Sequence, residues 1–204
     1  MNDSQIPIVL IKEFHLGHDA LNQELEKIVV EQMNRKDQKK EQHSNIGGWQ
    51  SERDLHAKLG EGTPYANALL KLFASFSSPM MEYINECCAK WNIKKSSSYD
   101  WNYTGAWFNV AARGGYNAPH THPLSAISGA YYVSAEDPPE EYPFSGRIDF
   151  YYGTGEKTFF PKPGTLILFP GTMLHFVHPY YGKGKRICLS FNANNIQGVE
   201  ASKV

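Results

Sequence analysis

The hydrophobic pattern of the chain changes period near residue 95. Before that point apolar residues mostly recur every three to four positions, the spacing of one helix face. Ile6 to Lys12 predicts a short strand, and Asp19 caps a predicted helix whose stripe is Leu21, Leu25, Ile28, Val29 and Met33. Asn34 to His43 is almost wholly polar and reads as a solvated helix end and a loop. Asn45-Ile-Gly-Gly-Trp-Gln-Ser51 predicts a turn-rich stretch around Trp49. Thr63-Pro64 marks the start of a further helix, carried to Ser77 by Leu69, Leu70, Phe73 and Phe76. Ser78-Pro79 restarts it, with Met80, Tyr83, Ile84, Cys87 and Trp91 on one face.

After Ser96 the period becomes two. Runs rich in Tyr, Phe, Val and Ile alternate with Gly, Pro and Asn: 101–112, 125–134, 147–152, 165–169, 176–180 and 186–192. Many short strands separated by turn signals predict an antiparallel sandwich or barrel. The chain therefore reads as mainly β with N-terminal helices (α+β): one domain over residues 1–204, a mainly helical part at 1–95 and a β core at 96–195. Gly198 to Val204 reads as a frayed tail.

Composition narrows the classes. With 204 residues and 41% hydrophobic content the chain is long and apolar enough to bury a core, which excludes a disordered protein. No apolar run approaches the roughly 18 residues that span a bilayer. Twenty basic against 21 acidic residues, a net charge of −1, argue against nucleic acid or an anionic membrane as the main partner. The start of the chain lacks the basic region of a signal peptide. The three cysteines, Cys87, Cys88 and Cys188, form no CxxC pair, so neither a disulfide framework nor a thiolate zinc site is expected. Both features predict a reduced, cytoplasmic setting.

The candidate chemistry lies in the histidines. His120-Thr-His122 places two imidazoles at i and i+2, which share a face in a strand and can approach one metal ion. A third imidazole, His175, follows Leu166-Ile-Leu-Phe-Pro-Gly-Thr-Met, with His178 three residues later and Arg186 eleven residues beyond His175. An HxH pair alone is also compatible with polar loop histidines bonded to backbone. The order HxH, strand, strand, Pro-Gly, His and strand-borne Arg is far more specific.

That order resembles the iron(II)/2-oxoglutarate-dependent oxygenases, whose fold is a double-stranded β-helix, or jelly roll. His175-Phe-Val-His-Pro179, Gly182, Gly184 and Arg186 are similar to the prolyl hydroxylase ending, and Tyr131-Tyr132-Val133 falls at its Tyr-Tyr-Leu strand. More closely, His120-Thr-His-Pro123, Ser128-Gly-Ala-Tyr-Tyr-Val133, Leu168-Phe-Pro170, Arg186-Ile-Cys-Leu-Ser-Phe-Asn192 and the earlier Ser44-Asn-Ile-Gly-Gly-Trp-Gln-Ser51 resemble a family of small 2-oxoglutarate/iron oxygenases of bacteria and phages. The resemblance implies a jelly roll with helices packed outside the barrel, iron(II), 2-oxoglutarate as cosubstrate, and hydroxylation of an unidentified small molecule or peptide. It implies metal ligands at His120 and His175, with the third place taken by His122, where most of the superfamily has a carboxylate. It implies Arg186 gripping the distal carboxylate of 2-oxoglutarate through two parallel hydrogen bonds.

Ser190, four residues on and on the same strand face, is placed to add a hydroxyl there, and Tyr132 and Asn109 are further candidates. Alternatives remain at several positions. His122 can instead stand behind a site of two histidines and water. His178 competes with His175 as distal ligand. Asp149 is the nearest free carboxylate, although a solvent-facing strand position accounts for it better. A cupin-like three-histidine metalloenzyme without 2-oxoglutarate and a non-catalytic jelly-roll binding module are the other functional readings. In the latter, Trp49, Trp101 and Trp107 with Tyr151-Tyr152 line a ligand groove. Trp49 and the loop after Glu136 are also placed to shape an entrance.

Overall fold

The protein is represented by a computed structural model that describes residues 10–35, 43–59, 62–92, 94–153 and 155–200, the side chains of 94–100 and 195–200 excepted. The predicted strand from Ile6 lies largely outside the described residues. Chain order is β1 (Lys12–His15), α1 (Asp19–Asn34), β2 (Asn45–Gln50), a single 3-10 turn (Leu55–Ala57), α2 (Ala66–Ser75), α3 (Ser77–Lys90), β3 (Lys94–His120), β4 (Ile127–Ser134), β5 (Ile148–Tyr152), β6 (Gly155–Phe159), β7 (Thr165–Pro170), β8 (Leu174–Val177) and β9 (Arg186–Glu200). Where described, the strands form one curled antiparallel sheet in the order β1-β7-β4-β9-β3-β8-β5-β6, with β2 also paired to β3. The 27-residue strand β3 holds the two ends together: it pairs with β9 along Lys94–Ala111 and with β8 at Asn117 and His120.

Period two gives this sheet a different chemistry on each face. On one side Phe108, Tyr131, Leu166, Leu168, Leu189 and Phe191 pack against Leu25, Val29, Leu69, Leu72, Phe76 and Met80 of the helices. Phe76, at the break between α2 and α3, stacks on Phe191 with ring centroids 5.3 Å apart. Tyr131 donates its hydroxyl hydrogen bond to Asn22 Oδ1 of α1 at 2.8 Å. On the other side Tyr132, Ile148, Phe150, Ile167, Phe169, Val177 and Cys188 form a second, inner core.

Several local expectations change. Asn45–Gln50 is strand β2: its Gly48 lies so close to β3 that a Cβ would meet the Val110 carbonyl, so the glycine signals close strand approach. Asp19 lies inside the first turn of α1; the cap position is His18, at φ 66°, without a side-chain cap bond. Helix α2 starts at Ala66, and Thr63 Oγ1 donates to Lys58 O at 2.8 Å instead of capping it. Strand β6 was not expected, and β9 continues to Glu200 through the segment read as a tail.

Candidate metal and cosubstrate centre

His120 is the last residue of β3 and His175 the second residue of β8, and the ladder makes them cross-strand partners. His175 thus reaches His120 from the adjacent strand of the same ladder, with ring centroids 4.2 Å apart. His122 lies beyond the strand end. Its backbone N–H donates to Gly171 O at 2.6 Å, in the turn between β7 and β8, and this tether turns its ring toward the other two. Its centroid lies 5.1 Å from that of His120 and 5.3 Å from that of His175. The three residues each present a nitrogen within 4.8 Å of the others.

Proton placement suits a cation. His120 Nδ1 lies 2.6 Å from Ala118 O and His175 Nδ1 lies 2.9 Å from Met173 O. A carbonyl only accepts, so each Nδ1 carries the hydrogen and each Nε2 keeps its lone pair. Ser44 Oγ lies 3.3 Å from His120 Nε2. Burial is the main cause that lowers all three imidazole pKa values, to about 4 for His122 and about 3 for His175. For these two the charge of His120 comes second. The cluster is neutral near pH 7, the state in which imidazole binds metal.

The histidines open into a cavity of about 350 Å³ that also exposes Arg53, Trp107, Asn109, Arg186, Cys188 and Ser190. Arg186 is 2% exposed, and among the described residues it meets no carboxylate. Its Nη2 donates to Tyr132 Oη at 3.4 Å, its guanidinium lies 4.9 Å from the Tyr132 ring, and its Nε has no partner among the described residues. A buried, uncompensated guanidinium in an apolar surround is costly unless an anion joins it. Tyr132 does not reach the cavity lining; it supports Arg186 from beneath, and burial raises its phenol pKa. Asn109 Nδ2 donates to Ser190 Oγ at 3.0 Å, while Asn109 Oδ1 has no partner among the described residues. A neutral three-nitrogen cluster beside an unpaired guanidinium fits iron(II) plus a dicarboxylate.

The other candidates lie elsewhere. Asp149 is not solvent-facing: it is 1% exposed, and its Oδ2 accepts from Arg147 Nη2 and meets His178 Nε2, each at 2.7 Å. Both His178 and Asp149 are outside the cavity lining. The Trp49 indole is buried in the helix-side core and shapes no entrance. Glu136 accepts backbone N–H bonds from Lys183 and Gly184, the second at 2.9 Å, so it braces the turn before β9. The sequence reading singled out neither Arg53 nor Gln50, which also line the cavity.

Residues 105–192 match the family described as "Putative 2OG-Fe(II) oxygenase". The matched stretch contains His120, His122, His175 and Arg186. Among curated proteins none matches its sequence. Its fold is similar to that of a prolyl-4-hydroxylase of Pseudomonas putida, at 14% identity over 92% of this chain and 95% of that one, with a TM-score of 0.62. A prolyl hydroxylase of Trichoplax adhaerens, solved with a hypoxia inducible factor peptide, gives 13% identity, 93% and 85% coverage and a TM-score of 0.64. HygX from Streptomyces hygroscopicus, solved with nickel and 2-oxoglutarate, gives 10% identity, 95% and 87% coverage and a TM-score of 0.61. The protein thus has the jelly-roll fold of these neighbours. No helix among its described residues is long and apolar enough to cross a membrane.

Proposed function

We propose that the protein is an iron(II)/2-oxoglutarate oxygenase that hydroxylates a small molecule or peptide, holding iron(II) through His120, His122 and His175 and 2-oxoglutarate through Arg186. The carrying observation is the buried guanidinium of Arg186, free of any carboxylate among the described residues, in the same cavity as three neutral imidazoles. Bound iron and 2-oxoglutarate supply the oxidising power: dioxygen is consumed, 2-oxoglutarate leaves as succinate and CO2, and one oxygen atom enters the substrate.

The protein's own contribution is placement. The Ala118 and Met173 carbonyls hold protons on Nδ1 of His120 and His175, keeping both Nε2 lone pairs toward the metal. The guanidinium fork of Arg186 fits the distal carboxylate bidentately, and Tyr132 keeps that fork from rotating. Ser190 offers its hydroxyl to the same carboxylate while accepting from Asn109. Phe169, Ile148 and Val177 line the same space and exclude water. Residues 1–204 serve as one domain in this reading, since β1 and β2 are laddered into the sheet. A cytoplasmic setting agrees with three cysteines that form no disulfide.

The test is an anaerobic titration, first with iron(II) and then with 2-oxoglutarate. A charge-transfer band should appear on the second addition to the wild type and be absent in Arg186→Ala at equal concentration. Iron binding with no band at saturating 2-oxoglutarate would favour a three-histidine metalloenzyme that does not use this cosubstrate.

A further inference from the structure

If Arg186 takes 2-oxoglutarate, one guanidinium in the cavity is still unexplained. Arg53 follows β2, and its backbone is pinned to the barrel. Its carbonyl accepts from Ala106 N at 2.9 Å, and Asp54 bridges Ala106 in parallel. Two residues earlier Ser51 is held on both sides, donating from N to Phe108 O at 3.0 Å and accepting at Oγ from Phe108 N at 2.9 Å. A side chain on such a segment is positioned before any ligand arrives.

The Arg53 guanidinium lies 4.3 Å from the ring centroid of Trp107, and both residues line the cavity. Stacking on the indole face leaves the in-plane N–H groups free for an acceptor. Among the described residues none supplies one. The acidic neighbours Glu52 and Asp54 instead bind Lys58, at 2.9 and 3.1 Å. A second, independent donor lies in the same cavity. Gln50 is 2% exposed, its Nε2 has no partner among the described residues, and it is the cross-strand neighbour of Asn109. A buried amide donor left open is costly, so its natural complement is an acceptor on a ligand.

We propose that Arg53 and Gln50 form a carboxylate-binding subsite, stacked on Trp107, that selects a carboxylate-bearing primary substrate for this oxygenase. The inference rests on the proposed function, because it assumes that Arg186 serves the cosubstrate. Arg53 supplies charge and a planar fork, Gln50 a neutral N–H, and Trp107 the flat support that fixes the fork's plane. An anionic group bound there offsets that charge and sits next to the reacting centre.

The experiment uses protein loaded with zinc(II), which keeps it diamagnetic and stops turnover, and then with 2-oxoglutarate. Acetate and its neutral isostere acetamide are titrated at constant ionic strength, and the side-chain 15N–1H resonances of Arg53 Nε and Gln50 Nε2 are followed. Acetate should shift both saturably and acetamide neither. Arg53→Gln should weaken acetate binding at Gln50 by at least about tenfold. Arg53→Lys, which keeps charge without the fork, should fall between. No saturable shift with acetate, an equal response to acetamide, or an unchanged Gln50 response in Arg53→Gln would overturn the subsite. Failure of the cosubstrate assignment shows at the earlier step, as 2-oxoglutarate binding that Arg186→Ala leaves intact. The acetate titration is then read on the zinc form alone, with the same expected and overturning results. Loss of 2-oxoglutarate binding in Arg53→Gln, with retention in Arg186→Ala, would assign Arg53 to the cosubstrate and overturn both.

Discussion

Strand β9 presents two unlike faces within seven residues. Ile187, Leu189 and Phe191 are at most 1% exposed and belong to the helix-side core, where Phe191 stacks on Phe76. Arg186, Cys188, Ser190 and Asn192 alternate with them and line the cavity. Both faces are buried but for the half-buried Ser190, yet their chemistry differs. The helix face is complete within the chain, since its apolar groups need only one another. The inner face, with Asn109 of the neighbouring β3, leaves Arg186 Nε and Asn109 Oδ1 without partners among the described residues, at a cost of about 1–3 kcal/mol for each unsatisfied group. Stability is therefore concentrated on one side of the sheet and binding capacity on the other.

The largest way to sharpen this comparison is to remove an imidazole. His175→Ala and His120→Ala should lower iron affinity by more than about 100-fold, beyond the loss typical of outer hydrogen-bond partners. Metal analysis of purified protein reads this directly. His178→Ala, which unmakes only the outer cluster with Asp149 and Arg147, should keep its iron. The reverse pattern would make His178 the distal ligand.

Next comes the inner face itself. Arg186→Ala should cost about 2–5 kcal/mol in 2-oxoglutarate binding by calorimetry. Arg186→Leu should lose that binding as well, yet leave the metal-free fold more stable by roughly 1–4 kcal/mol in urea unfolding, because an uncompensated charge is replaced by a packed side chain. A destabilised Arg186→Leu protein would mean that the arginine is structural.

Acid should act on the inner face through the histidines. Their folded pKa values lie below the unfolded 6.5, so between pH 6.5 and about 4 the unfolded chain holds more protons than the folded one. Stability of the metal-free protein is then fully present above pH 6.5 and falls as pH drops, by about 2 kcal/mol at pH 5 for His175 alone. His175→Phe should flatten that dependence in unfolding measurements. The smallest effect belongs to the helix face: Ile187→Val should cost about 0.5–1.5 kcal/mol of stability and leave 2-oxoglutarate affinity unchanged.

What was legible in the sequence follows from the same geometry. Alternation along Arg186–Asn192 separates the faces by period alone, and the spacing from His120 to His122 to His175 to Arg186 survives any detail of the loops between. Strand β2 was not legible, because Asn-Ile-Gly-Gly has turn chemistry until β3 supplies its ladder and demands glycine for close approach. Asp149 read as solvent-facing because its partners Arg147 and His178 come together only when β5 pairs with β8. Arg53 sits in a charged run, Glu52-Arg-Asp54, where only the diversion of both acids to Lys58 reveals it as unpaired among the described residues.

The cross-strand pairing of His120 with His175 has a mechanical side. Along the described ladder, β5 and β6 join the rest of the sheet through β8, and β8 joins it through β3. The ladder between those two strands is short and irregular, with a register shift between Asn117 and His120. An ion gripped by both imidazoles would act as a rivet at that seam, locking the one alignment in which the two rings meet. Three strands hang from it, so emptying the centre would loosen a whole flank of the barrel before it disturbed the helices.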